Sequence, residues 1–276
     1  MMDGWLPISP ASRGESGPVD TSVAHVARVY DYWLGGKDNF AVDRAAGDEA
    51  IKAFPAVVPS ARANRAFLGR VVRFLAQEAG IRQFLDIGTG LPTADNTHEV
   101  AQSVVPESRV VYVDNDPVVI AHARALLGSG PEGATGVIDA DLRDPWKVLD
   151  GAARLLDFGR PVAVLLVAIL QHIDDADDPW EIVATLKASL PPGSYLAVSH
   201  PAEDIAQAMT KMAERLSEMM AEKVTFRNRA GVARFFEGFD LIEPGLVAVS
   251  SWRPATGAEA ASSATCWGGV ARKGGE

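Results

Sequence analysis

The chain has 276 residues, of which 47% are hydrophobic, enough to bury the core of one large α/β domain. Its formal net charge of −10 argues against general nucleic-acid binding, because that function requires a basic face. The single cysteine, Cys266, excludes an intrachain disulfide and a cysteine-rich zinc site, and it fits a reducing cytoplasm. No metal-ligand spacing such as H-E-x-x-H occurs, so we expect no metal.

The N-terminal region carries no targeting signal that we can identify. Residues 1–20 are rich in Pro, Gly and Ser without periodicity, which predicts a flexible arm. The first residues lack the apolar stretch of a signal peptide. The longest apolar run, residues 162–170, is too short to span a bilayer, which takes about 20 residues. We therefore expect a cytoplasmic protein with no membrane partner, and the sequence leaves its oligomeric state open.

Residues 27–40 are dense in aromatic side chains and contain the consecutive glycines Gly35 and Gly36. One interpretation is a short helix whose aromatics fill the edge of a core and whose end is capped by glycine. The other is a lid that closes over a ligand, in which the glycines allow a sharp turn. The two are compatible. The lid interpretation selects as candidate ligand contacts Tyr30, Tyr32, Lys37, Asp38 and Asn39.

The next segment has apolar residues at helical spacing and predicts a helix from Ser60 to Gly80. Four arginines are interleaved with the apolar positions. Because charged residues on an amphipathic helix usually face water, we interpret these arginines as a solvated face. They are Arg62, Arg65, Arg70 and Arg73.

Residues 83–93 contain a predicted first strand that ends in a carboxylate, followed by a glycine-rich turn. Asp86 leaves the strand, and the turn contains Gly88, Thr89 and Gly90. This order is typical of a strand that delivers a nucleotide-like ligand to a glycine loop. A dinucleotide pyrophosphate would be repelled by the carboxylate, whereas S-adenosylmethionine has an ammonium, a sulfonium and no phosphate. Asp86 therefore favours a methyltransferase over a dehydrogenase.

The second predicted strand, residues 109–113, also ends in acidic residues. Asp114 lies 24 residues beyond Gly90, near the offset of about 20 at which a Rossmann-type acid reaches ribose hydroxyls. Its neighbour Asn115 is part of the same candidate site. Asp116 precedes Pro117 and is interpreted as a helix N-cap rather than a ligand contact.

The third predicted strand, residues 135–138, is followed by Asp141 and Leu142. A carboxylate here can accept a hydrogen bond from an adenine amino group, and the next backbone N–H can donate to the ring. The alternative is a turn or capping aspartate before Pro145, and the sequence leaves both open.

Two histidines follow the remaining predicted strands. The fourth strand, residues 161–168, ends at Ala168, a candidate cofactor contact, and His172 lies just beyond it. The fifth strand, residues 194–199, delivers His200 to the same edge, where open α/β sheets bind ligands. Either histidine could orient a substrate, take a proton, or hold a loop by hydrogen bonds. Residues 202–220 predict a Met-rich helix. It could belong to the core, pack over the substrate side or form an oligomer contact, and core is the default.

Beyond these strands, residues 228–236 predict a short helix, and residues 239–250 and 265–272 predict two closing strands. A break is expected at Pro244 and Gly245, and a loose loop at residues 254–263.

These stretches together resemble the S-adenosyl methyltransferase family, within the class I methyltransferase superfamily. The resemblance is closest at residues 27–40, 64–93, 110–127 and 140–145, extends to residues 193–201 and 238–254, and covers nearly the whole chain from residue 20. It implies a Rossmann-like α/β fold with a mostly parallel seven-stranded sheet, an antiparallel terminal strand pair and an N-terminal helical lid. It also implies a lid segment at 21–59 and a methyltransferase domain at 60–276.

The resemblance implies S-adenosyl-L-methionine as the cofactor. The implied contacts are Asp86, Gly88 and Gly90 at the methionine end, Asp114 at the ribose, and Asp141 with Leu142 at the adenine. Pro92 stands where the general pattern has a third glycine, so contacts after Gly90 are not transferred.

We expect in-line methyl transfer to a small-molecule acceptor, with the lid closing the site. His172, His200 and Tyr30 are the candidates on the acceptor side. A non-catalytic protein that binds the cofactor is the alternative, because no residue here is indispensable to methyl transfer. An NAD-dependent oxidoreductase is a further alternative, and Asp86, the missing third glycine and the closing strand pair count against it.

Overall fold

The computed structural model describes residues 21–205, 214, 217–218, 223–262 and 264–275. The arm predicted at residues 1–20 and most of the Met-rich helix predicted at 202–220 lie outside these residues. No helix within the described ranges combines the length and the apolar character needed to cross a membrane.

The centre of the molecule is a single mixed sheet. Its strands are β1 (Gln83–Ile87), β2 (Arg109–Asp114), β3 (Ala134–Asp139), β4 (Ala163–Val167), β5 (Tyr195–Pro201), β6 (Asp240–Leu241), β7 (Val247–Ala248) and β8 (Cys266–Arg272). The order is β3-β2-β1-β4-β5-β8-β6, and β7 also pairs with β8. Strands β1 to β5 are parallel, and β8 is antiparallel to β5.

This arrangement confirms the predicted fold class. The predicted sixth strand is broken into β6 and β7 around Pro244 and Gly245. Both pieces pair with β8, whose other edge is taken by β5. One interrupted strand therefore accounts for eight strands in the described chain where seven were predicted.

The helices are α1 (Val26–Leu34), α2 (Ala41–Ala53), α3 (Val57–Gln77), α4 (Thr97–Val104), α5 (Pro117–Leu126), α6 (Pro145–Ala152), α7 (Pro179–Ala188), α8 (Arg229–Ala233) and α9 (Gly257–Ala260). Local capping rules explain several starts. The Asp116 carboxylate accepts from the Val118 N–H at 2.7 Å, with Pro117 as the first helical residue. Glu99 accepts from the Asn96 N–H at 2.7 Å, as in a capping box.

Three helical features differ from the sequence-based expectation. Helix α2 was not predicted. Helix α3 begins at Val57 rather than Ser60, so the predicted domain boundary falls inside a helix, and the division at residue 60 stays a prediction. Residues 254–263, predicted as a loose loop, contain α9, where Glu259 forms an ion pair with Arg70 at 2.8 Å.

The core lies on both faces of the sheet because side chains alternate along each strand. In β1, Leu85 and Ile87 pack with residues of α6 and α7, whereas Phe84 packs on the opposite face with α3 and α4. Both faces are covered by helices, which explains why the central strands are apolar along their whole length.

Two features place a site at the carboxyl edge of this sheet. The strand order reverses between β1 and β4, and ligands of open α/β sheets bind in the crevice at such a point. The segment containing α1 and α2 covers that edge. It is held internally by the buried ion pair of Arg28 and Asp43 at 2.9 Å, and it packs against Val224 and Phe226.

Candidate functional site

A cavity of about 220 Å³ opens at the carboxyl ends of β1 to β4, beneath α1 and one face of α3. Most of the sequence-predicted site residues line it. They are Tyr30, Asp86, Gly88, Thr89, Gly90, Asp114, Asn115, Asp141, Leu142, Ala168 and His172. Five predicted residues do not line it, namely Tyr32, Lys37, Asp38, Asn39 and His200.

Asp86 is a buried carboxylate at the end of β1. Its Oδ2 accepts a hydrogen bond of 2.6 Å from the Thr97 hydroxyl at the start of α4. Burial raises the pKa of Asp86 to about 6, and the hydrogen bond from Thr97 and the charge of Arg65 offset that rise only in part. A cationic group entering the cavity would therefore find a carboxylate that is under-solvated and receptive to positive charge.

The glycine turn after β1 brings backbone close to the cavity wall. Gly88 has a φ of +75°, and a Cβ atom at this position would lie 2.5 Å from the side chain of Ile169. Only glycine meets both requirements without strain. The turn therefore lets the backbone pass close to Ile169, in the loop that follows β4. Gly88 itself lines the cavity at the carboxyl ends of the strands.

Asp114, at the end of β2, is anchored by backbone donors. Its carboxylate accepts from the N–H groups of Gly90 at 3.0 Å, Asn115 at 2.9 Å and Asp116 at 3.0 Å. A carboxylate has about four lone-pair positions, so one remains for a further donor. This geometry suits one ribose hydroxyl. Burial raises the pKa of Asp114, while these backbone donors oppose the rise.

Asp141, beyond β3, is already engaged by two protein partners. Arg143 forms an ion pair with it at 3.1 Å, and the Asn115 amide donates to Oδ2 at 3.0 Å. Arg143 also contacts Asp177 at 3.0 Å. Asp141 therefore lines the predicted adenine region as part of a surface ion-pair network, and Asn115 joins it to the end of β2.

The loop after β4 holds His172 in a defined protonation state. The Gln171 amide Nε2 donates to the Ala168 carbonyl at 2.8 Å, which fixes the orientation of the amide. The same nitrogen lies 3.1 Å from His172 Nε2, so that ring atom accepts and the ring proton is on Nδ1. Burial, together with the nearby charges of His25 and Arg143, lowers the pKa of His172 to about 4. His172 is thus a neutral wall of the cavity whose lone pair is already engaged.

His200 lies inside strand β5 rather than beyond its end, because pairing with β8 extends the strand through Pro201. Its side chain is fully buried. Arg227 donates to Nε2 at 2.9 Å, and Nδ1 lies 2.8 Å from the Pro201 carbonyl. Burial lowers the pKa of His200 to about 3. The ring stacks on Phe235, so its position is that of a core histidine outside the cavity.

Tyr30 lines the cavity, but its hydroxyl is bonded to protein. The hydroxyl donates to the Ala61 carbonyl at 3.0 Å and accepts from the Asn64 amide at 3.1 Å. Asn64 in turn accepts from the Ser199 hydroxyl at 2.6 Å. Burial raises the pKa of Tyr30 to about 12, so the phenol keeps its proton. This chain of hydrogen bonds joins α1 to α3 and β5.

The other predicted lid residues do not line the cavity. The Tyr32 hydroxyl donates to Asp48 at 2.7 Å, and Lys37 is exposed. The Asn39 amide donates to Asp31 at 2.8 Å. Asp31 itself lines the cavity. The segment therefore covers the site through α1, and the turn after α1 is closed on itself.

One face of α3 forms a wall of the cavity that the sequence analysis missed. Its lining residues recur at helical spacing and are Val57, Ser60, Ala61, Asn64, Arg65 and Leu68. The signal was present in the sequence, since polar Ser60 and Asn64 share the buried face with apolar residues. The interpretation of the four arginines as a solvated face holds for the exposed Arg62 and Arg73 and is wrong for Arg65 and Arg70, which are hydrogen-bonded and half-buried.

Apolar side chains and uncharged polar groups also line the cavity. Its described lining includes Trp33, Leu34 and Phe226, together with the uncharged Asn64 and Cys266. Burial raises the pKa of the Cys266 thiol to about 11, so it is uncharged at neutral pH.

The chain is similar to proteins of known family and known structure. A family model described as S-adenosyl methyltransferase matches residues 12–274. A DUF574 family protein of solved structure from Streptomyces avermitilis is 46% identical, with 92% of this chain and 99% of that chain covered and a TM-score of 0.89. A protein from Thermobifida fusca assigned as a methyltransferase is 43% identical, with coverages of 96% and 100% and a TM-score of 0.87.

More distant similarity extends only to the fold. An O-methyltransferase family protein from Burkholderia thailandensis is 15% identical, with 79% of this chain and 60% of that chain covered and a TM-score of 0.51. No curated protein matches the chain.

Proposed function

Because the chain belongs to the S-adenosyl methyltransferase family, whose cofactor is S-adenosyl-L-methionine, we propose that it methylates a small-molecule acceptor inside the cavity beneath α1. The family and the cofactor predicted from the sequence are confirmed. Family membership also favours the methyltransferase over the NAD-dependent oxidoreductase. That the protein catalyses methyl transfer, and that the acceptor is a small molecule, are parts of the proposal.

The described residues fit the cofactor. Asp86 offers a buried carboxylate for an ammonium group, and Asp114 has one lone-pair position for a ribose hydroxyl. When bound, the cofactor would supply a methyl group on a sulfonium, whose carbon an acceptor nucleophile can attack in line while the C–S bond breaks and the thioether leaves. The residues around it orient the two partners and exclude water, and such positioning can lower a barrier by about 7–11 kcal/mol.

The states of His172 and Tyr30 favour catalysis by positioning over catalysis by a protein base. His172 is neutral with its lone pair engaged by Gln171, and Tyr30 keeps its proton in a bond to Ala61. An acceptor that needs no proton removed by these side chains suits this site best. The observation that carries the proposal is that strand-end carboxylates and apolar side chains line one cavity.

A binding and transfer experiment tests the proposal. Calorimetry should show binding of S-adenosylhomocysteine to the wild-type protein, and Asp114→Asn should weaken it about 10- to 100-fold, because a hydrogen bond to a charged group contributes about 1.5–3 kcal/mol. The matched control is Asp139→Asn, which removes an exposed carboxylate at the end of neighbouring β3 that does not line the cavity. Unchanged affinity in Asp114→Asn would refute the ribose assignment.

The second part of the test incubates the protein with methyl-labelled cofactor and a whole cell extract, which is then separated into small molecules, protein and nucleic acid. Label in a small molecule supports the proposed function. Label only in protein or nucleic acid would overturn the small-molecule acceptor. Binding of S-adenosylhomocysteine without any label transfer would favour a non-catalytic, cofactor-binding protein.

A further inference from the structure

Arg65 is a half-buried cation on the cavity wall with no carboxylate partner among the described residues. Its Nη2 donates to the carbonyls of Ala94 and Asp95, both at 3.0 Å, and lies 3.4 Å from the Asn96 side-chain oxygen. All three acceptors are uncharged. Its Nε is buried and has no hydrogen-bond partner in the described structure. A guanidinium in this setting is incompletely compensated, because burying charge is costly unless it is paired.

The surroundings of Arg65 place it beside the methionine end of the cofactor region. Residues 94–96 hold the Arg65 guanidinium, and the very next residue, Thr97, holds the Asp86 carboxylate at 2.6 Å. One short segment thus fixes a cation and an anion at the same end of the cavity. The Arg65 charge lowers the pKa of Asp86, but the two side chains form no direct ion pair, so both can contact a third group.

A free amino acid end is zwitterionic, with an ammonium and a carboxylate on one carbon. Asp86 matches the ammonium, and an anchored guanidinium matches a carboxylate, which arginine binds through parallel N–H donors. We infer that Arg65 binds the carboxylate of the amino acid portion of the cofactor, as the counterpart of Asp86. This inference rests on the proposed function, because it assigns a residue to that cofactor.

The same charge could serve a carboxylate on the acceptor molecule. The contacts with Ala94 and Asp95, in the loop that follows Gly90, favour the cofactor, since this loop belongs to the β1 end of the cavity. Two ligands separate the sources: S-adenosylhomocysteine has the amino acid end, whereas 5′-methylthioadenosine keeps the nucleoside and thioether and lacks both the ammonium and the carboxylate.

The experiment measures the affinity of both ligands by calorimetry for the wild type and for Arg65→Gln. We expect Arg65→Gln to weaken S-adenosylhomocysteine about 10- to 100-fold, the range for a hydrogen bond to a charged partner. We expect 5′-methylthioadenosine to change by no more than about twofold. Arg65→Lys keeps the charge and loses the planar guanidinium, so its affinity for S-adenosylhomocysteine should lie between those of the wild type and Arg65→Gln. It replaces Arg65→Gln in the experiment if that variant fails to fold. Arg62→Gln, an exposed arginine of the same helix, should leave both affinities unchanged.

Three results would overturn the inference. An equal loss for both ligands would mean that Arg65 only supports the loop through its carbonyl contacts. Unchanged affinity for both ligands would mean that its charge serves something other than the cofactor. A greater loss for 5′-methylthioadenosine would place Arg65 at the nucleoside. Failure of the wild type to bind either ligand would instead contradict the proposed function, so the two failures are distinguishable.

Discussion

Replacing Asp86 with asparagine should stabilise the protein while weakening its hold on the cofactor. The pKa of Asp86 rises from its ordinary 3.8 to about 6, mainly through burial. Because one pKa unit corresponds to about 1.4 kcal/mol, keeping this carboxylate charged at pH 7.5 costs the fold about 3 kcal/mol. Asparagine keeps an acceptor for the Thr97 hydroxyl and removes the charge, so Asp86→Asn should raise the free energy of unfolding by up to about 3 kcal/mol.

The dependence of this effect on pH follows from the sign of the shift. The folded-state pKa lies above the unfolded one, so the folded protein binds this proton more tightly than the unfolded chain does. The associated stability is present below about pH 3.8 and is lost as the pH rises through about 6. The advantage of Asp86→Asn over the wild type should therefore be large at pH 7.5 and should shrink towards pH 4.

Urea denaturation followed by tryptophan fluorescence at these two pH values measures the difference. Asp95→Asn is a suitable control, because Asp95 is an exposed carboxylate of the same loop and its replacement should change stability by less than about 0.5 kcal/mol. Destabilisation of Asp86→Asn at pH 7.5, or a benefit that does not vary with pH, would refute the reasoning.

Two further outcomes follow from the same structure. In calorimetry, the wild-type dissociation constant for S-adenosylhomocysteine should rise about tenfold from pH 7.5 to pH 5. The reason is that Asp86, with a pKa of about 6, must lose its proton to bind an ammonium group. The dissociation constant of Asp86→Asn should not depend on pH in this way. Gly36→Ala should destabilise the protein by about 1–3 kcal/mol in urea denaturation, because its Cβ would lie 1.9 Å from the Asp31 carboxylate. The control, Gly69→Ala, places its Cβ in open space on α3 and should not destabilise the protein. Equal effects of the two substitutions would contradict this account.

The parts of the site that follow from local rules could be predicted from the sequence. Asp86 and Asp114 close apolar strands, and the carboxyl ends of parallel strands meet at one edge, so both were expected in the cavity. Asp116 was recognised as an N-cap because a proline follows it. None of these inferences requires knowledge of distant contacts.

The errors arose where a distant contact decides the outcome. His200 was expected at the sheet edge, but pairing with β8 extends β5 and Arg227 holds the ring in the core. Neither partner is close in sequence. Arg65 was interpreted as solvated because the helical pattern alone does not reveal that residues 94–96 approach that side of α3. Asn39 was expected to face a ligand, whereas it closes the turn onto Asp31.

The hydrogen-bond chain from Ser199 through Asn64 to Tyr30 makes helix α1 part of the same cooperative unit as the sheet. Swinging α1 away would break the two hydrogen bonds of the Tyr30 hydroxyl, at about 1 kcal/mol each. An open form would then occupy about one molecule in thirty before any loss of apolar packing is counted. The amide hydrogens of α1 should accordingly exchange with solvent as slowly as a stably packed helix, and ligand exchange beneath it would draw on a rare, transiently opened population.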